Sequence, residues 1–228
     1  MINTVIFDLD GTLTEFNLDV KSCRIEVIHS LSNQGIPEEL FSLNESAFDM
    51  LLKVKNYLGP KTPKETILDI KNMIFSIVES HELQAAKETK LFTGIPETLD
   101  TLKKMNLKMG LCTISSHKAS GHILNRFRIE EFFDAVFPRE SVLAVKPNPI
   151  HLKAVLDSLK ASAEEAMFVG DSVKDVICAN DLGVLAVGVP TGLSSVEQLK
   201  DSGSHYIVSS VTEIPKLVIQ LNKKTSLG

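Results

Sequence analysis

Val5-Ile6-Phe7-Asp8-Leu9-Asp10-Gly11-Thr12 is the stretch that decides the fold. Three large apolar residues run without alternation into acids and a glycine. A continuous apolar run closed by glycine predicts a strand buried on both faces, as in a parallel sheet. Two aspartates then fall at the carboxyl end of that strand, where ligands bind in open α/β sheets.

Beyond Gly94-Ile95-Pro96 the pattern alternates between strand and helix. Helices are predicted over 96–105, 117–126, 149–159, 173–182 and 212–222, and strands over 107–113, 134–137, 166–170, 184–189 and 206–208. Such alternation predicts a parallel sheet flanked by helices. Residues 223–228 read as a frayed tail. The intervening stretch differs. Val20, Cys23, Val27 and Leu31, then Leu51 and Val54, then Ile67, Ile70, Ile74 and Ile77 recur at helical spacing, broken at Gly35-Ile36-Pro37 and at 58–63. The predicted organisation is an α/β core formed by 1–16 and 91–228, with a helical insert of three or four helices over 17–90.

With 228 residues, the chain has room for about one and a half domains. Its 43% hydrophobic and 23% charged residues exclude wholesale disorder. A net charge of −5 argues against a nucleic-acid grip, which needs clustered Lys and Arg. No apolar run approaches the roughly 18 residues of a membrane span, and the N-terminus lacks a basic signal-peptide region. A cytoplasmic protein is expected. Cys23, Cys112 and Cys178 are odd in number and form no CxxC pair, so buried thiols are expected rather than disulfides or a zinc site.

The polar residues at the predicted strand ends form a constellation. Asp8 and Asp10 close the first strand, and Thr113 with Ser115 follows the second. Lys146 lies before Pro147, and Gly170-Asp171-Ser172 closes the 166–170 strand with Asp175 one turn into the next helix. Carboxylates gathered on one edge repel unless a cation is present. Hard oxygen ligands beside a phosphate site suit Mg²⁺. A hydroxyl and an ammonium can hold phosphate oxygens, one carboxylate can attack phosphorus, and another can protonate the leaving oxygen.

These segments, in this order, resemble the haloacid dehalogenase (HAD) superfamily, and most closely its phosphoglycolate phosphatase and β-phosphoglucomutase branch. The resemblance rests on Asp8-Leu9-Asp10-Gly11-Thr12, Thr113, Lys146 in Val-Lys-Pro-Asn-Pro, and Gly170-Asp171-Ser172-Val173-Lys174-Asp175. It implies a Rossmann-like three-layer sandwich with an inserted α-helical cap of the C1 type. It also implies a Mg²⁺-dependent phosphoric monoester hydrolase acting on a small phosphorylated metabolite through an aspartyl phosphate. Asp8 is then the nucleophile and Asp10 the general acid and base, with Lys146 completing the catalytic set. Thr113, Ile114 and Lys146 bind the phosphoryl group. Asp8, Asp10 (through its backbone carbonyl) and Asp171 hold the metal, supported by Gly11, Thr12, Ser172 and Asp175. The acid at Asp10 favours ester hydrolysis or phosphomutase chemistry over dehalogenase or ion-pump chemistry, and pyrophosphatase activity stays open. Of the two gaps between motifs, 103 positions separate Asp10 from Thr113 and 33 separate Thr113 from Lys146, so the insert falls where the family places its C1 cap. Glu15, Phe16 and Asn17, and the insert residues Lys53, Lys55 and Lys61, are candidate substrate contacts. Ile114 departs from the Asn often found there, so one substrate contact is in doubt. Monomer and dimer are both open.

Blander readings exist for each piece. Asp-x-Asp-Gly favours a simple turn, Asp171-Ser172 favours a helix cap, and insert lysines are ordinarily solvated. A non-catalytic phosphate-sensing module on the same fold is the competing class, against which the leaving-group acid Asp10 argues. His117, after two serines, reads as a surface or helix-start histidine.

Overall fold

The computed structural model describes residues 1–225. Six strands form one parallel sheet: β1 (Thr4–Phe7), β2 (Lys108–Cys112), β3 (Ala135–Phe137), β4 (Ala166–Gly170), β5 (Leu185–Gly188) and β6 (Tyr206–Ile207), in the order β3-β2-β1-β4-β5-β6. The described helices are α1 (Val20–Asn33), α2 (Ala47–Leu58), α3 (Lys64–Glu88), α4 (Ile95–Lys104), α5 (His117–Phe127), α6 (Pro149–Leu159), α7 (Val173–Asn180), α8 (Val196–Asp201) and α9 (Ile214–Thr225). None is long and apolar enough to cross a membrane.

The chain clusters into two compact units, Met1–Asn17 with Glu88–Gly228, and Leu18–Lys87. In the first, β1 is central and buried throughout, as its uninterrupted apolar run demands. Ile6 belongs to a core with Leu152, Val155 and Leu159 of α6 and Val176 and Ala179 of α7. Strand alternation points Val5 and Phe7 to the opposite face, where both are fully buried. A second helical layer is therefore required, and α4, α5 and α9 are the core helices left to supply it. The second unit is a three-helix cluster, with a short 3₁₀ turn at Glu38–Leu40. Val27 and Leu31 of α1, Met50 and Val54 of α2 and Ile70 and Ile74 of α3 form its buried stripe. Ser46 and Asp49 make a reciprocal cap at the start of α2.

Most sequence boundaries agree with these elements to within one or two residues. Three differ for physical reasons. Helix α7 stops at Asn180, where Leu182 and Val184 amides turn back to Ala179. Helix α8 is absent from the sequence reading, because six mostly polar residues carry too little periodicity. The expected tail at 223–228 is helical through Thr225, and 226–228 lie outside the described residues. All three cysteines are buried and none is in a disulfide.

Candidate active site

Chain connections leave β1 toward β2 on one side of the sheet and β4 toward β5 on the other. The two central neighbours therefore mark the switch point, where a crevice opens at the carboxyl ends. Asp8 follows β1 and its amide bonds to Val169 O of β4 at 2.9 Å. The next residues curl at once, with the Thr12, Leu13 and Thr14 amides all directed at Leu9 O. Gly11 makes that curl possible at φ +88°, and an added Cβ there would lie 2.5 Å from Asp171 Oδ2.

The fold brings Asp8, Asp171 and Asp175 together, with one carboxylate oxygen from each inside a mutual 4.8 Å. All three are buried. Lys146 Nζ lies 2.7 Å from Asp8 Oδ1 and 2.7 Å from Asp175 Oδ1. Asp175 Oδ2 accepts from the Ser172 amide at 3.0 Å and the Ser172 hydroxyl at 2.6 Å. The helix-cap reading of Ser172 is therefore correct and compatible with a site role. Asp171 accepts from Thr12 Oγ1 at 3.1 Å and from the Leu193 amide at 2.7 Å. The carboxylate of Asp10 stands apart from the three-acid cluster. Ser115 Oγ donates to its Oδ2 at 2.6 Å, and Thr14 Oγ1 to its Oδ1 at 3.5 Å.

Burial pushes the Asp8 carboxyl well above the usual carboxylate range, with Asp175 and Asp171 adding to the rise and Lys146 opposing it. Asp171 is pushed up to about 6 by burial and by Asp175. Burial also raises Asp10, against its bonds from Ser115. Burial alone lowers the Lys146 ammonium, but Asp175 and Asp8 outweigh it and hold the group well above its ordinary value. Three buried acids thus gather around a single ammonium, which pairs with Asp8 and Asp175, and the raised proton affinities of Asp8 and Asp171 fit a shortage of positive charge there. The donor set is all oxygen, which fits a hard divalent ion such as Mg²⁺.

Thr113 is buried at the end of β2, its hydroxyl accepting from the Ser115 amide at 3.1 Å. Ile114 is half-buried between them. The Phe137 carbonyl ties this turn to the Lys146 side of the site. It accepts from the Thr113 amide at 3.1 Å and from His151 Nε2 at 3.0 Å. His117 opens α5 as an exposed residue whose amide bonds to Glu140 at 2.9 Å. Arg139 and Glu140 pin the same turn, Arg139 through its own amide to Ser115 O at 3.2 Å.

The remaining sequence candidates divide between the units. Glu15 is half-buried in the core unit, with its amide bonded to Lys90 O at 2.9 Å and its carbonyl accepting from Thr89 at 2.8 Å. Phe16 is half-buried beside it and Asn17 is exposed. In the helical unit, exposed Lys53 pairs with Glu45 at 2.6 Å. Exposed Lys55 joins Lys64, Gly59, Pro60 and Thr62 around an open pocket of about 480 Å³. Lys61 is exposed on the same loop. Sequence reasoning missed Thr14, His151 and the segment after β5 around Thr191 and Leu193. The last carries one legible sign, a Thr-Gly pair just past a strand's carboxyl end.

A family model of haloacid dehalogenase-like hydrolases matches residues 5–189. The chain belongs to that family. The Pyrophosphatase PpaX of Bacillus mycoides is 29% identical over 223 residues, covering 97% of this chain and 99% of its own. A predicted phosphatase from Clostridium acetobutylicum superposes with a TM-score of 0.65 at 26% identity, over 96% of this chain and 99% of that one. The β-phosphoglucomutase of Clostridium difficile shares the fold, with a TM-score of 0.70 at 20% identity over 100% and 99% of the two chains.

Proposed function

We propose that this protein hydrolyses a small phosphate ester by transferring the phosphoryl group to Asp8. The observation that carries the reading is the Asp8 carboxylate itself, buried at a strand end, 2.7 Å from Lys146 and grouped with Asp171 and Asp175. Asp8 attacks phosphorus and forms an acyl phosphate as the bond to the leaving oxygen breaks. Asp10 gives its proton to that oxygen. Water then attacks phosphorus while Asp10 takes the water's proton, the bond to Asp8 breaks, and inorganic phosphate leaves. Asp10 is free for this because Ser115 and Thr14, not the three-acid cluster, hold it. Lys146, the Thr113 hydroxyl and the amides of the Ile114 turn receive the phosphoryl oxygens. Asp8, Asp171 and Asp175 would hold Mg²⁺, with the Asp10 carbonyl as a further donor. When bound, the ion neutralises charge on the transferring group and orients it.

The helical insert is read as the family's cap and as the specificity element, with Lys53, Lys55 and Lys61 as candidates for an anionic substrate tail. Three buried cysteines outside any disulfide support a reducing, cytoplasmic setting. A second reading, inorganic pyrophosphate as substrate, is favoured by the PpaX relatives. Phosphate is a better leaving group than an alkoxide, so that reaction asks less of Asp10.

Phosphate release is measured across small phosphomonoesters and pyrophosphate, with Mg²⁺ and with EDTA. A metal-dependent hit on esters supports the first reading, and a hit on pyrophosphate alone supports the second. Silence from folded protein across the panel overturns both.

A further inference from the structure

The segment that follows β5 does something none of the predicted motifs accounts for. It turns around Asp171. The Leu193 amide bonds to Asp171 Oδ2 at 2.7 Å, and the Ser194 amide bonds to the Asp171 carbonyl at 3.2 Å. Ser194 Oγ accepts from the Val173 amide at 3.1 Å, fixing the segment to the start of α7. From the other side, Thr191 Oγ1 donates to the Gly11 carbonyl at 2.6 Å, across 180 residues of sequence. Gly192 lies between these two anchors. An added Cβ there would overlap the Asp171 carboxylate and come within 2.8 Å of Gly11 Cα. Its backbone is outside the left-handed region, so conformation does not demand glycine at this position. Only the close approach to Asp171 and Gly11 does.

We propose that Thr191, Gly192 and Leu193 form a positioning clamp that holds the Asp171 carboxylate and the Asp8–Thr12 turn in one fixed relation, so that both meet the same divalent cation. The inference rests on the metal-dependent reading above. Leu193 N–H occupies Asp171 Oδ2 and Thr12 Oγ1 occupies Oδ1, so the carboxylate cannot rotate without breaking a buried bond. Thr191 ties the carbonyl of Gly11, one residue past Asp10, to the same segment. Partners that orient metal ligands in this way typically set affinity by about 10- to 100-fold.

Four variants test the clamp: Gly192→Ala, Thr191→Val, Thr191→Ser and, as a comparison, Gly121→Ala on α5, where an added Cβ meets nothing within 4 Å. Mg²⁺ affinity is measured by calorimetric titration without substrate, alongside the metal-free unfolding temperature. Gly192→Ala is expected to weaken Mg²⁺ binding by about tenfold or more. Thr191→Val is expected to weaken it by less, Thr191→Ser to restore it, and Gly121→Ala to leave it unchanged. Wild-type affinity in folded Gly192→Ala and Thr191→Val overturns the clamp, even if their unfolding temperatures fall. Should Gly192→Ala fail to fold, the Thr191→Val and Thr191→Ser pair decides alone. A wild-type protein that binds no Mg²⁺ overturns the metal-dependent reading itself and the clamp with it, an outcome distinct from unchanged variants.

Discussion

Asp8 Oδ1 and Lys146 Nζ are 2.7 Å apart although 138 residues separate them in the chain. The contact joins the turn after β1 to the loop before α6, and the same ammonium reaches Asp175 at the start of α7. One buried cation therefore serves two acids held by different elements. Its charge sets the electrostatics of the whole strand-end crevice.

Lys146→Ala leaves Asp8 and Asp175 as buried carboxylates without a counter-ion. Removing one partner of a buried pair typically costs about 3–5 kcal/mol. A loss near the lower end is expected here, because the raised pKa of Asp8 lets that carboxyl neutralise itself. Added Mg²⁺ is expected to recover part of it by supplying positive charge to the same acids. Urea unfolding with and without Mg²⁺ reads both effects. Unchanged stability would show that the pair contributes nothing net, and unchanged turnover would remove Lys146 from the site.

Asp10 is held by Ser115 at 2.6 Å, which sets its carboxyl apart from the three-acid cluster. Asp10→Asn removes the proposed proton donor, and the expected loss is about 10²- to 10⁴-fold on alkyl phosphates. On p-nitrophenyl phosphate, whose leaving group needs little protonation, the loss is expected to be smaller. Ser115→Ala should move rates in the same direction by a smaller factor. Rates on a series of esters of graded leaving-group strength decide the matter, and equal losses across the series count against Asp10 as the acid.

His151 is fully buried, with Nε2 bonded to the Phe137 carbonyl and Nδ1 without a hydrogen-bond partner. Burial lowers its pKa to about 4. The folded imidazole stays neutral where the unfolded one takes up a proton, so stability is fully present above the unfolded value near 6.5. It falls as pH drops from there toward 4. At about 1.4 kcal/mol per pH unit, the loss approaches ~3 kcal/mol at the lower end. Denaturant unfolding across this window, compared with His151→Gln, isolates the contribution. Parallel pH profiles for the two proteins would show that His151 plays no part.

Much of this arrangement is legible in the sequence, for identifiable reasons. Val5-Ile6-Phe7, apolar without alternation and closed by acids and a glycine, fits a strand buried on both faces, and acids at its end fall at the sheet edge that topology turns into a crevice. Asp175 is harder to place. One turn into α7 it reads as half of a capping box, which it is, and only the fold shows its second oxygen facing Lys146. The hold of Leu193 on Asp171 comes from a backbone amide, which no side-chain identity records. Gly192 is required by contact with Asp171 and Gly11 rather than by a turn. His151 sits on the buried face of α6, where one histidine among Leu152, Val155 and Leu156 reads as core.

The central claim is that the phosphoryl group passes through Asp8. The most direct test is to acid-quench the enzyme during turnover with Mg²⁺ and its best substrate, reduce it with borohydride and map the peptides by mass spectrometry. Borohydride converts an acyl phosphate to an alcohol, leaving a permanent mark on the carboxyl that carried it. The mark is expected on Asp8 alone, dependent on substrate, and absent from an Asp8→Asn protein that stays folded but has lost turnover. Sustained turnover by Asp8→Asn, or the mark on another carboxylate, would contradict it.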